Sequence, residues 1–336
     1  MKHGLMVSSA GPNCRAGKTL SQKSSGISVL LFLVAIFVAF GSGAGAETDV
    51  SILTPLAHRA LLLDAVSVGD RICAVGERGH VLFSADNGRN WRQVKVPTRS
   101  TLTGVTFYDK HLGWAVGHDG VILRTRDGGN LWERVRYAPD DDCPLLDVWF
   151  QDDRRGFAIG AYGLCLRTAD GGTSWTPIHI SEDDWHLHHM AQSASGRLYI
   201  AAEAGQIYRS DDGGDSWITL PSPYDGSFFG VMPLENDALM VFGLRGHVFR
   251  SEDAGDHWQQ VPTGTVATLA DGVRLADGRI LLAGLAGTLL VGRVQNSNFE
   301  KIPGPGRLGV WAVVETKAPE LICFGERGAT PLALEE

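Results

Sequence analysis

A chain of 336 residues with 44% hydrophobic and 20% charged residues and a formal charge of −8 has the apolar content of a packed globular core. That acidity disfavours nucleic acid as a partner. The five cysteines form no CxxC pair and no Cys/His spacing of a zinc site.

Residues 27–40, ISVLLFLVAIFVAF, follow Lys18 and Lys23 and precede Ala44-Gly45-Ala46. A 14-residue apolar run between such flanks has the layout of a secretory signal peptide over residues 1–46 and is short for a membrane span. An uncleaved anchor holding the protein on the periplasmic side is the alternative. Cleavage after Ala46 would leave 290 residues with a charge of −12, predicted to be exported and periplasmic. Cys14 would leave with the leader. Disulfides among Cys73, Cys143, Cys165 and Cys323 are permitted in that compartment but not required; Cys143 with Cys165 is conceivable, whereas Cys73 and Cys323 are expected to point to opposite faces of neighbouring units.

Residues 50–58, VSILTPLAH, precede the first repeat and have no other assignable role. From there on one phrase recurs: SADNGRNW, TRDGGNLW, TADGGTSW, SDDGGDSW and SEDAGDHW end at Trp91, Trp132, Trp175, Trp217 and Trp258, spaced 41, 43, 42 and 41 residues apart. Around each copy lie four short strand-like runs separated by Gly- and Asp-rich turns, the pattern of a four-stranded antiparallel meander. One further period lands on Phe299 in NSNFEKIP, where an aromatic survives without its box. GVWAVVE and ELICFGERGATPL then supply three strands of a last unit. The predicted fold is therefore all-β: a single seven-bladed propeller over residues 47–336, closed by residues 50–58 pairing with the C-terminal blade so that no sheet edge is left bare.

Within each box the aspartate, one of Asp86, Asp127, Asp170, Asp212 and Asp253, is expected to accept bonds from turn N–H groups, while glycine supplies the backbone angles and the tryptophan buries its ring with its indole N–H satisfied locally. A residue used identically at five hairpin tips cannot converge on one ligand, so these aspartates are read as structural and not as catalytic or calcium-binding. No catalytic residue, metal site or cofactor is assigned.

Recognition is expected where the blades differ. Counting 28 residues back from each box aromatic places Gly104, Asp147, His189, Gly230 and Asp271 on the innermost strands, with Asp64 and Gly309 matching after a small adjustment; these positions should ring a central channel. The turns between second and third strands have variable centres: Glu77-Arg78, His118-Asp119, Ala161-Tyr162, Glu203-Ala204, Leu244-Arg245, Leu285-Ala286 and Glu326-Arg327. Arg78, Arg245 and Arg327 put cationic forks on one face, with Arg327 and Arg78 expected to be neighbours. Loops carrying Asp140-Asp141-Asp142, Trp185 and Tyr224 share that face, which reads as a protein-docking surface. The run Trp185 to His189 places His186 and His188 on one side of a strand, but two ligands without convergent carboxylates make a poor metal site.

The phrase S/T-x-D-x-G-x-x-W is the Asp-box of the neuraminidase repeat. Seven units of VG-x-x-G-x-(I/V)-x-R-(S/T)-x-D-G-G-x-x-W behind an export signal resemble the photosystem II stability and assembly factor family across about residues 50–336. That resemblance implies a non-enzymatic propeller that docks on nascent membrane-protein subunits through an arginine-rich patch, here carried over to Arg78, Arg245 and Arg327. The partner it implies is a membrane-associated protein, bound by a monomer. A sialidase-like glycosidase is the alternative, yet Arg-Ile-Pro is absent and Lys301-Ile302-Pro303 occurs late; a retaining enzyme would also need two carboxyl groups about 5 to 5.5 Å apart. A carbohydrate-binding propeller would rely on exposed aromatics such as Trp185.

Overall fold

The computed structural model describes residues 49–293, 296–316 and 320–333; the apolar run at residues 27–40 and Cys14 lie outside them. Seven sheets follow one another along the chain, six of four strands and a last of three. Every neighbouring pair of strands within a sheet is antiparallel. The innermost strands are Leu62–Val68, Leu102–Phe107, Leu145–Phe150, Leu187–Gln192, Phe228–Pro233, Leu269–Arg274 and Val310–Glu315. They pack side by side in that order, and the first touches the last, so the array closes into a ring.

The core explains the closure. Buried side chains fall into seven clusters, one for each junction between successive blades. At the seam, Leu62, Ile72, Ala74 and Leu82 of blade 1 meet Ala312, Val314, Ile322 and Phe324 of blade 7. Alternating residues of each second strand feed opposite junctions, which is why Cys73 lies in the cluster between blades 1 and 2 and Cys323 in that between blades 6 and 7. Cys143, in the loop before the innermost strand Leu145–Phe150, lies in the cluster between blades 2 and 3, whereas Cys165, on the third strand of blade 3, lies in that between blades 3 and 4. Cys165 is a free buried thiol, so the Cys143–Cys165 disulfide contemplated from the sequence is not made.

Closure by an added strand is not what the structure shows. Among the described residues the last sheet has three strands, and residues 49–54 run instead along the outer edge of blade 1. The Ser51 N–H donates to the Val96 carbonyl at 2.9 Å and Ser51 Oγ accepts from the Val96 N–H at 2.9 Å, while Gln93 donates to the Ile52 carbonyl and accepts from the Thr54 N–H. A 3-10 turn, Ala57–Arg59, then crosses the seam with Ala57 buried in its core. Gly328, at φ 73°, makes room for it: a Cβ there would sit 2.0 Å from the His58 carbonyl oxygen. Leu53-Thr54-Pro55 interrupts the run of paired backbone donors, because proline offers no N–H to a ladder.

Each Asp-box builds the same turn. In blade 3, Thr168 Oγ1 donates to Asp170 Oδ1 at 2.9 Å and accepts from the Gly172 N–H, and Asp170 Oδ1 accepts from the N–H groups of Thr173 and Ser174, both at 2.9 Å. These bonds favour the ionised form: led by the Ser174 hydroxyl, they hold Asp170 down to about 2; Asn90 does the same for Asp86 and His257 for Asp253, both about 2. Asp212 and Asp127 are lowered likewise, first by Ser216 and by the Leu131 N–H. The indole N–H groups of Trp91 and Trp132 bond locally to Gly88 and Gly129, as expected. Trp258 instead reaches back to the Pro221 carbonyl, and those of Trp175 and Trp217 are buried without a partner among the described residues. Replacing Asp170 by alanine strands the turn donors and is expected to lower the melting temperature by about 2–6 °C; a calorimetric scan indistinguishable from that of the parent protein would refute the structural role.

Candidate functional site

A central cavity of about 500 Å³ is lined by Asp64, Asp147, His188, His189 and Asp271 together with Trp149, Phe229 and Trp311. Its inner wall follows from one irregularity repeated seven times. In every blade the innermost strand shifts register by one residue, at Asp64, Gly104, Asp147, His189, Gly230, Asp271 and Ala312. The ring position of blade 7 is thus Ala312, not Gly309: Ala312 lies one regular period beyond Asp271, whereas Gly309 falls before the strand Val310–Glu315 begins.

Each bulge frees the N–H of the next residue from the ladder. Seven such donors result, and four side chains serve all of them. Asp64 accepts from Ala65 of its own blade at 2.8 Å and from Val105 of the next at 2.7 Å. Asp147 accepts from Val148 at 2.7 Å and Met190 at 2.8 Å, and Asp271 from Gly272 at 2.7 Å and Val313 at 2.8 Å. The remaining donor, Val231, meets His189 Nδ1 at 3.4 Å. A carboxylate has two oxygens and spans two blades; seven is odd, so one position takes an imidazole. The irregular placement of acids around the ring, opaque in the sequence, follows from this count.

The same enclosure disfavours charge. Burial pushes Asp64 well above the usual carboxylate range, with the negative charges of Asp147 and Asp271 adding to the rise and the Val105 N–H opposing it. Asp271 is raised to about 6, again first by burial, with Asp147 adding and the Val313 and Gly272 N–H groups and His189 opposing. Both side chains keep partial access to channel water. Among the described residues no group of three His, Cys, Asp or Glu is arranged to hold a metal ion.

The variable turns lie at one end of the disc. Six of them fold as a single 3-10 turn with a left-handed second residue, at φ 56° in Arg78, 58° in Asp119, 55° in Tyr162, 52° in Ala204, 58° in Arg245 and 56° in Ala286. Arg78, with its side chain 81% exposed, and Arg245 and Arg327 project into solvent. Arg78 is 4.0 Å from Glu77, and Arg327 donates to the Pro305 carbonyl at 2.9 Å. Arg327 and Arg78 belong to blades that pack directly on one another, whereas blade 6, with Ala286 at its turn, stands between Arg327 and Arg245. Glu77 and Glu203 instead accept from the backbone, from the Leu61 and His186 N–H groups. His118 is exposed, and Asp119 accepts from Ser100 Oγ.

Aromatic residues cross this end from rim to channel. Tyr162, 46% exposed, packs edge-on to His186 at 4.9 Å; His186 lies 6.4 Å from His188, and His188 4.7 Å from Phe229 at the cavity wall. His188 Nδ1–H donates to the Phe228 carbonyl at 2.8 Å, and burial lowers its pKa. Trp185 is largely covered, so Tyr162 is the exposed aromatic of this wall. The Asp140-Asp141-Asp142 run is a solvated turn tied back by Arg136 to Asp141 at 3.1 Å.

Four of the five boxes are directly preceded by an arginine to which the sequence assigns no role; Phe83 stands at that position in blade 1. Arg124 donates to the Gly171 carbonyl and to Thr173 of the next box, both at 2.8 Å; Arg167 bonds Asp215 at 2.6 Å, and Arg209 bonds the Ala254 carbonyl at 3.0 Å. The arginine is a clasp between successive blades. Its constant offset within the repeat was the sign that could have revealed it.

The sequence matches the family described as photosynthesis system II assembly factor YCF48 over residues 83–145 and 139–291. It is 42% identical over 43 residues to photosystem II assembly protein Ycf48 of Thermosynechococcus vestitus, covering 13% of this chain and 12% of that protein. It is 37% identical over 81 residues to the chloroplastic photosystem II stability/assembly factor HCF136 of Cyanidioschyzon merolae, covering 22% and 18%. The aligned stretches thus span less than a fifth of these relatives. A solved structure of YCF48 bound to D1 peptide superposes with a TM-score of 0.69 at 17% identity, over 86% of this chain and 97% of that one; YCF48 from Cyanidioschyzon merolae gives 0.66 at 14%, over 82% and 96%. With more than half of its length matched by the family, the chain belongs to the photosynthesis system II assembly factor YCF48 family.

Proposed function

We propose that the protein is an exported, non-catalytic propeller that docks, as a monomer on the periplasmic side, onto a subunit of a membrane-protein complex during its assembly. Membership of an assembly-factor family carries the reading, and the end bearing the variable turns is its natural place. There the exposed arginines Arg78, Arg245 and Arg327 vary from blade to blade while the boxes that recur stay occupied with their own turns. Exposed guanidinium groups beside an aromatic wall suit an acidic, partly apolar segment of a partner. Sialidase-like hydrolysis finds no support in the channel, whose three carboxylates each accept two backbone N–H groups.

Affinity capture from solubilised host membranes tests the proposal. The parent protein should retain a membrane subunit that an Arg78→Glu, Arg245→Glu, Arg327→Glu variant recovers at less than about a tenth of the yield, the effect expected of charge reversal at exposed interface arginines. Equal recovery would remove this end as the docking surface; hydrolysis of a fluorogenic sialoside would return the enzyme alternative.

A further inference from the structure

We propose that the rim of the disc at the seam between blades 7 and 1 rests on the surface of an anionic lipid bilayer. Residues 52–56, ILTPL, run along the outer edge of blade 1 and all five are exposed. Ile52, Leu53 and Leu56 leave 58%, 56% and 58% of their surface in solvent. No other stretch of five among the described residues exposes more than one large hydrophobic, so this edge concentrates what the rest of the surface scatters. The strap is nonetheless fixed in place: hydrogen bonds to Val96 and Gln93 hold Ser51, Ile52 and Thr54, and Ala57 is buried in the seam.

Basic residues frame the patch. Lys95 lies between Gln93 and Val96, the two residues that hold the strap, and Arg59 ends the 3-10 turn three residues after Leu56. Both are exposed, and neither has an ion-pair partner among the described residues. The acids beside them are already answered: Asp49 binds Arg134 at 2.6 Å and the Arg99 N–H at 3.0 Å, and Glu77 accepts from the Leu61 N–H and lies 4.0 Å from Arg78. In a chain of formal charge −8, such a stretch selects the edge that can approach negatively charged headgroups. Interfacial affinity sums buried apolar area and the attraction of Lys and Arg to anionic lipid.

Lipid suits this edge better than a strand donated by a protein. Thr54 spends its N–H on Gln93, Pro55 has none, and Pro331, exposed on the outer described strand of blade 7, has none either; an added strand would find its ladder interrupted on both sides of the seam. Chain position agrees. The apolar run of residues 27–40 ends 12 residues before Ile52, and that length of chain reaches at most about 40 Å, so a run retained in a bilayer keeps this rim within reach of the headgroups.

Photocrosslinking tests the assignment. The full chain carrying p-benzoylphenylalanine in place of Leu53 or, separately, of Ile218 is reconstituted with vesicles of phosphatidylcholine and phosphatidylglycerol and irradiated, and the adducts are read by mass spectrometry. Ile218, 47% exposed on the outer strand of blade 4, reports the far rim. A lipid adduct is expected at position 53 and not at position 218. Combined Arg59→Glu and Lys95→Glu substitutions, both at exposed side chains, should lower the yield at position 53 about tenfold. Arg245→Glu, on blade 5, should leave it unchanged, which separates this surface from the docking end. No lipid adduct at position 53, equal adducts at 53 and 218, capture of a second copy of the chain in place of lipid, a yield indifferent to Arg59→Glu with Lys95→Glu, or equal loss in Arg245→Glu would overturn the proposal.

Discussion

Replacing Asp147 by alanine is expected to destabilise the propeller by about 2–4 kcal/mol, for two backbone donors that each lose a charged acceptor. In a domain of this size the melting temperature should fall by roughly 4–12 °C. The argument is local. Asp147 Oδ1 and Oδ2 take the N–H groups of Val148 and Met190, which the bulges at Asp147 and His189 have withdrawn from their own ladders. No neighbouring side chain can replace it: the ring position of blade 2 is Gly104, and Asp64 and Asp271 are committed to four other donors. Channel water can reach the orphaned groups, which keeps the estimate below that for fully enclosed donors. Asn at the same position retains one oxygen and should fall between the two. Equilibrium unfolding in urea checks the ranking parent, Asp147→Asn, Asp147→Ala; an alanine variant as stable as the parent would mean that the collar of N–H groups does not tie the blades together.

How much of this was legible beforehand depends on whether a residue repeats. Box spacing disclosed the blade number, the box turns and the sixth blade with Phe299 in its tryptophan slot, since each recurs with a fixed offset and one physical cause. Asp64, Asp147, His189 and Asp271 could be placed on the channel by counting, yet their task could not, because it depends on a bulge one residue wide and on donors from the following blade. The placement at Gly309 failed because the last blade carries no box aromatic to count back from; Ala312, one regular period beyond Asp271, takes the ring position. The seam misled for a related reason. Residues 50–58 have the composition of a strand, but Pro55 and the turn at Ala57–Arg59 send them along the outer edge of blade 1 instead of into the last sheet. The path from Tyr162 to Phe229 joins three blades and leaves no trace in any single repeat.

Acidification should stabilise the parent relative to an Asp271→Asn variant. The sign follows from proton linkage. Asp271 titrates at about 6 in the folded protein against a usual 3.8, so between those values the folded state holds the extra proton and stability contributed by this group falls as pH rises. The cost of keeping the carboxylate charged is complete above about pH 6 and absent below the unfolded value. Asparagine carries no such cost at any pH. The melting temperature of the parent minus that of the variant should therefore become more positive between pH 7.5 and pH 5, by about 2–6 °C once channel solvation is allowed for. The difference between two proteins is the right readout, because other groups titrate over the same interval. Asp64 shifts in the same direction as Asp271, His80 and His188, both lowered by burial, lose stability on acidification, and all three are common to parent and variant. Asp147 and His189 act on Asp271 across the channel, so His189→Gln, which removes an imidazole that opposes the rise, should raise the Asp271 transition further. The box aspartates Asp86, Asp170 and Asp253, held down to about 2, contribute stability that is lost only at more acid pH. A melting-temperature difference that stays flat from pH 7.5 to pH 5 would show that the channel does not hold Asp271 in a charge-averse environment.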